Sequence, residues 1–356
     1  MSNPIDPEVN LPSHGQVESG EQASEPQPES LNPLEQAFRE ETEREQTGPV
    51  LSPLSYVSPL PELEIPEDPN IADQAMFQSW STPEISPPVR IPHLGHVAVL
   101  AIFAFFGLLG ATLGIRTGIK AHLYGVTTMA QAITDIHFTL GSELILYLFT
   151  FILCLVFFPM IWQEGFFSGI QWNGRTALRL RQRLFITAAI CFALALINGL
   201  LLPGPEDAPI DKIFKAPGAA WLLFAFGVTV APFFEEMVFR GFLLPALCTA
   251  FDWLHERFSH VPIRPLDETG QPRWSVPAMV IASICTSLPF AGMHAAQTGY
   301  SFGPFILLVG VSLALCWARL STRSLAASVM VHASYNFLLF SLMMFGTEGF
   351  KHLDKM

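Results

Sequence analysis

The run from Trp221 to Trp253 reads WLLFAFGVTVAPFFEEMVFRGFLLPALCTAFDW, apolar enough for a bilayer yet carrying Glu235, Glu236 and Arg240 near its middle. As one helix it would extend roughly 48 Å at about 1.5 Å per residue. The hydrocarbon core of a bilayer is only about 30 Å thick, so a single upright crossing does not account for it. Pro232 and Pro245 each lack a backbone N–H, which predicts a bent or broken helix. The charges share this segment with the length anomaly. Ionisable groups at membrane depth face a bundle interior or a wet cavity, and a functional site is the default reading of such a cluster.

The rest of the chain supplies neighbours for that helix. Half of the 356 residues are hydrophobic, 30 are Phe and only 14% are charged. Soluble domains rarely combine these values. Apolar stretches near 97–115, 144–163, 184–202, 276–296, 303–319 and 324–346 join 217–250 to make about seven spans. The expected fold class is all-α, a polytopic transmembrane helix bundle. Trp162, Trp221, Trp253, Trp274 and Trp317 fall at the proposed span ends, where aromatic belts sit. Residues 119–143 are the ambiguous interval, with room for an amphipathic or re-entrant segment. Gly110, Gly114 and Gly118 recur every fourth residue, a spacing that permits close helix contact. Packing within one bundle is the favoured reading there, ahead of a dimer seam.

Charge divides the chain in two. Residues 1–90 hold 17 Asp/Glu and 3 Arg, whereas residues 91–356 hold 14 Asp/Glu and 16 Lys/Arg, so the net charges are -14 and +2. The acidity belongs to a Pro-rich tail (1–90) expected to be disordered, and the bundle occupies 91–350. Within the tail only Leu34 to Gln46 and Ile71 to Trp80 hint at a helix or a docking segment. No basic-then-apolar signal peptide is visible, so the first span is expected to do the targeting. Nothing suggests nucleic-acid binding. Arg175, Arg179, Arg181 and Arg183 follow the second span, Arg257, Arg264 and Arg273 the fourth, and Arg319 and Arg323 the sixth. With seven spans these loops share one side. The positive-inside rule puts them and the N-terminal tail in the cytoplasm, at a plasma (inner) membrane. The five cysteines show neither CxxC nor metal-ligand spacing and read as small core residues.

Three spans carry groups that are expensive in lipid. Glu236 and Arg240 are four apart with the acid N-terminal, the favourable order for a helical ion pair, so their role reads as mainly structural. Glu235 lies about 100° round the helix and has no such partner, which leaves it available as a base. His332 and Asn336 share one face of the last span, and Phe290 and His294 repeat that spacing on the fifth. A carboxylate and an imidazole can orient a water for general-base hydrolysis. His332 and Asn336 are donors suited to a developing oxyanion.

Glu235-Glu236-Met-Val-Phe-Arg240, Phe290-Ala-Gly-Met-His294 and His332-Ala-Ser-Tyr-Asn336 together resemble the EExxxR, FxxxH and HxxxN motifs of the CAAX-protease and bacteriocin-processing (CPBP, or Abi) family. The resemblance covers about 185–345. It implies an intramembrane endopeptidase acting on a membrane-associated peptide or protein substrate; eukaryotic members remove the last three residues of prenylated CAAX proteins. Carried over, Glu235 and His294 activate water, and His332 and Asn336 bind the oxyanion. Zinc held by Glu235, His294 and His332 is one mechanism the resemblance allows. A metal-free glutamate mechanism is the other, and HExxH is absent.

Two further readings share these residues. A non-catalytic relative acting as a membrane scaffold, chaperone or bacteriocin-immunity protein would keep the polar core. A proton-coupled transporter would also use buried Glu and His, but should show inverted repeats, and no such self-similarity is present.

Overall fold

A computed structural model describes residues 90–202, 214, 218–262, 264–267 and 272–350. The acidic tail with its two short candidate segments lies outside the described residues. Among the described residues seven helices are long and apolar enough to cross a membrane. They are α1 (Leu94–Lys120), α2 (Ile136–Trp162), α3 (Arg181–Leu201), α4 (Ala219–Ser259), α5 (Val276–Met293), α6 (Phe302–Thr322) and α7 (Leu325–Gly346). Among the described residues the one extended pairing is a β-bridge of Leu266 with Pro272. The chain is a seven-span helical bundle, as the hydropathy pattern predicts.

Local chemistry sets the helix starts. Asp135 caps α2 by accepting from the backbone N–H groups of His137 and Phe138. Ser275 and Ser324 do the same for α5 and α7 through Ala278 and Ala327. The Asp135 cap begins α2 eight residues before the hydropathy boundary at 144. Residues 119–143 therefore hold its first two turns, a short helix at Met129–Ala132 and a single turn at Leu123–Gly125. No additional span arises there.

The glycine stripe of α1 packs against α2. A Cβ at Gly114 would stand 2.7 Å from the Ile145 side chain, and one at Gly118 2.8 Å from the Phe138 ring. The close approach is thus intramolecular. Outward, Leu113, Met160, Ile190 and Leu200 are exposed, the surface expected of a lipid-facing wall. Trp221, Trp253 and Trp317 are exposed too. Trp162 departs from the belt reading: it ends α2 but is buried, with its ring 4.6 Å from Phe158 and 5.7 Å from Phe242.

α4 holds the middle of the bundle. Phe234, Met237 and Phe242 enter a cluster with Leu100, Cys154, Phe158 and Leu325. Phe239 enters a second cluster, with Leu184, Phe290, Leu315 and Val331. The helix is continuous where a break was an option, and it absorbs its prolines through wide turns. Phe226–Val230 and Met237–Leu243 are π-helical, each ending just before a proline-bearing turn. Pro232 and Pro245 donate no N–H, and their rings crowd the carbonyl four residues back. Widening the register by one residue relieves the clash. Glu235 and Glu236 sit between the two wide turns.

Four contacts place the connecting loops. Arg90 Nη2 donates to Glu256 Oε1 at 2.7 Å and to the Arg264 carbonyl at 3.0 Å. Ser324 Oγ donates to the Asn173 carbonyl at 2.8 Å. Arg323 pairs with Asp267. The start of α1 and the loops after α2, α4 and α6 therefore occupy one face.

Candidate active site

Arg240 is fully buried, and its guanidinium is held by a carboxylate, a serine and an aromatic ring. Its Nη1 donates to Glu236 Oε1 at 2.8 Å, the i, i+4 pair expected from spacing. Its Nη2 donates to Ser312 Oγ at 2.6 Å and to the Ser312 carbonyl at 3.1 Å. The guanidinium lies over the Phe290 ring, 4.4 Å from its centroid. α4, α5 and α6 are thereby joined through one side chain.

Glu236 reaches further than a structural pair requires. The oxygen that accepts from Arg240 also accepts from His332 Nδ1 at 3.0 Å. A carboxylate on Nδ1 fixes the ring orientation and directs Nε2 elsewhere. That atom faces Glu235 Oε2 at 3.9 Å. His294 is oriented by the same logic. Its Nδ1–H donates to the Phe290 carbonyl at 2.9 Å, since a carbonyl oxygen can only accept. Its Nε2 stands 3.8 Å from Glu235 Oε2. Two imidazoles from different helices thus aim Nε2 at one carboxylate oxygen, and that oxygen has no hydrogen-bond partner. The Phe290 ring supports both, 5.0 Å from the His294 ring and 5.9 Å from the His332 ring.

Asn336 stands one turn beyond His332 on α7. Its Nδ2 donates to the Gly227 carbonyl at 2.7 Å, inside the first π turn of α4. One amide hydrogen is therefore engaged with backbone, and the other has no partner among the described residues. The structure brings Glu235, His294 and His332 together, ties Glu236, Arg240 and Phe290 behind them, and sets Asn336 against the wide turn.

The segment that carries these residues is similar to a known family. Residues 217–338 match the family described as type II CAAX prenyl endopeptidase Rce1-like. The match takes in α4, α5, α6 and the first two-thirds of α7, hence every residue of the Glu/His cluster, and leaves α1 to α3 outside. No curated protein and no solved structure gives a match. The matched segment holds all three members of the buried Glu/His cluster, Glu235, His294 and His332.

The three donors are not assembled as a zinc site. Glu235 stands 3.8 Å and 3.9 Å from the two imidazoles, against about 3.4 Å between neighbouring ligands on a tetrahedral zinc. Among the described residues no three His, Cys, Asp or Glu side chains are arranged to hold a metal ion. Gaps of this size suit a shared water.

Two groups beside the cluster escaped the sequence reading. Tyr147 OH donates to Glu143 Oε1 at 2.8 Å on α2. The Tyr147 ring stacks on Phe234 at 4.6 Å, next to Glu235. Glu143 lies within Coulomb reach of both Glu235 and His294. The available signal was a lone carboxylate four residues before a tyrosine in an apolar run, and a span drawn from 144 excluded it. Ser312 gave no signal at all, since a serine in an apolar span is commonplace.

Proposed function

We propose that this protein is an intramembrane endopeptidase that hydrolyses a peptide bond of a membrane-associated substrate, with Glu235 as general base. The observation that carries the reading is the convergence of His294 Nε2 and His332 Nε2 on the unpartnered Glu235 Oε2. His294 Nε2 holds a lone pair, because Nδ1 carries the proton given to Phe290. A water between Glu235 and His294 donates one hydrogen to each and presents its oxygen to a scissile carbonyl.

Glu235 takes a proton as the water oxygen bonds to the carbonyl carbon. The resulting oxyanion meets two donors. His332 with both nitrogens protonated gives Nδ1–H to Glu236 and Nε2–H to the oxyanion, and Asn336 offers its second amide hydrogen. Collapse breaks the C–N bond as Glu235 returns the proton to the leaving amine. Water has then been added across one amide, and no metal is required. The matched family's description makes a prenylated CAAX-type C-terminus the first substrate to test.

Glu235→Gln and His294→Ala, purified in detergent with unchanged thermal unfolding, are expected to lose cleavage of such a peptide by about 10²-fold or more. Normal turnover in both variants would sink the peptidase reading. Wild-type turnover is expected to survive a strong chelator, and loss of activity restored by zinc would overturn the metal-free mechanism.

A further inference from the structure

We propose that Glu143 is a specificity-determining residue of this site, selecting substrates that carry a cationic group beside the scissile bond. The inference rests on the hydrolase reading. It begins with the composition of α2, where Glu143 is the one Asp, Glu, Lys or Arg in a 27-residue helix. A carboxylate in such a helix needs compensation. Its Oε1 accepts from Tyr147 OH, a neutral donor, and among the described residues no Lys or Arg pairs with it. Of the buried cations of the matched segment, Arg240 is held by Glu236 and Ser312, and Arg319 donates its Nε to the Arg240 carbonyl.

Its placement is fixed by packing. Tyr147 lies between Glu143 and α4, with its ring 4.6 Å from Phe234 and 6.1 Å from Phe226. Through Tyr147, Glu143 is linked to Phe234, the residue before Glu235, whose own Oε2 is buried and unpartnered. Two carboxylates linked in this way, neither paired with a Lys or Arg among the described residues, favour an ammonium or guanidinium on a peptide held at Glu235 and disfavour an acidic neighbour. α2 lies outside the family-matched segment, so this selectivity is a property of this chain's own N-terminal helices.

The test uses the full-length protein in detergent and internally quenched apolar peptides that differ at one position beside the scissile bond: Lys, norleucine or Glu. The wild type is expected to cleave the Lys peptide with a kcat/KM about tenfold above the norleucine peptide. Glu143→Gln should remove that preference mainly through KM while leaving the norleucine peptide within about twofold. Glu143→Lys should turn the preference toward the Glu peptide. Equal losses on all three peptides, or no Lys preference in the wild type, would overturn the proposal. A binding arm separates it from the hydrolase reading. Fluorescence polarisation of the same peptides on Glu235→Gln protein should show the Lys preference, and Glu143→Gln in that background should erase it. Preference in binding without wild-type cleavage would refute the peptidase and keep the cation subsite; cleavage without preference would do the reverse.

Discussion

Glu235 and Glu236 are adjacent in sequence and opposite in surroundings. Glu236 is fully buried between Arg240 and His332, whereas Glu235 turns an unpartnered oxygen toward two imidazoles. Spacing alone separated them, because i, i+4 geometry is local and survives into the fold. The link from Glu236 to His332 spans 96 positions and leaves no local trace, so Glu236 read as structural when it also orients a ring of the site. Arg240→Met strands a buried carboxylate and is expected to lower stability by about 3–5 kcal/mol, read by thermal unfolding in detergent. Arg240→Lys should recover little of this, since one ammonium cannot serve Glu236 and Ser312 as a guanidinium fork does. Asn336→Ala tests a division of roles. Losing the bond to the Gly227 carbonyl should cost about 1 kcal/mol of stability. If the second amide hydrogen meets the oxyanion, kcat should fall by about 10²-fold. A kcat within a few fold of wild type would assign Asn336 to holding α4 alone.

Elements were legible in number and type, and less so in their ends and inner geometry. A run of apolar residues reports that a helix is present, but α2 begins where Asp135 satisfies free N–H groups, in a stretch too polar for hydropathy to claim. The prolines of α4 correctly marked an irregularity. What they could not reveal is that neighbouring packing lets the helix widen instead of break. That distinction has a functional edge, because the first wide turn presents the Gly227 carbonyl to Asn336. Pro232→Ala restores an N–H and removes the ring clash, so a regular register becomes available. The variant is expected to be at least as stable as wild type in thermal unfolding. Its kcat should nevertheless fall by up to about 10²-fold as Glu235 rotates relative to His294 and His332. Unchanged kcat with unchanged stability would show that the wide turn has no part in placing the carboxylate.

At the scale of the molecule, topology and chemistry depend on the same seven crossings. An odd count separates the start of α1 from the end of α7. The contacts of Arg90 with Glu256 and Arg264, of Ser324 with Asn173 and of Arg323 with Asp267 gather the basic loops on the face where α1 starts. This agreement between side-chain contacts and arginine placement was foreseeable because loop charge is a compositional property that folding does not alter. We propose, by the positive-inside rule, that this face is cytoplasmic and that the turn at Leu123–Gly125 lies outside. In a protein whose five cysteines are replaced by Ala or Ser, Tyr124→Cys, exposed in that turn, should react with a membrane-impermeant maleimide on intact cells. Arg179→Cys and Arg257→Cys, on the basic face, should react only after permeabilisation. The reverse pattern would invert the chain and carry the acidic tail outside, while leaving the span count intact. Labelling of all three from one side would be incompatible with α1 and α2 both crossing, and would remove Glu143 from the bilayer along with the proposal built on it.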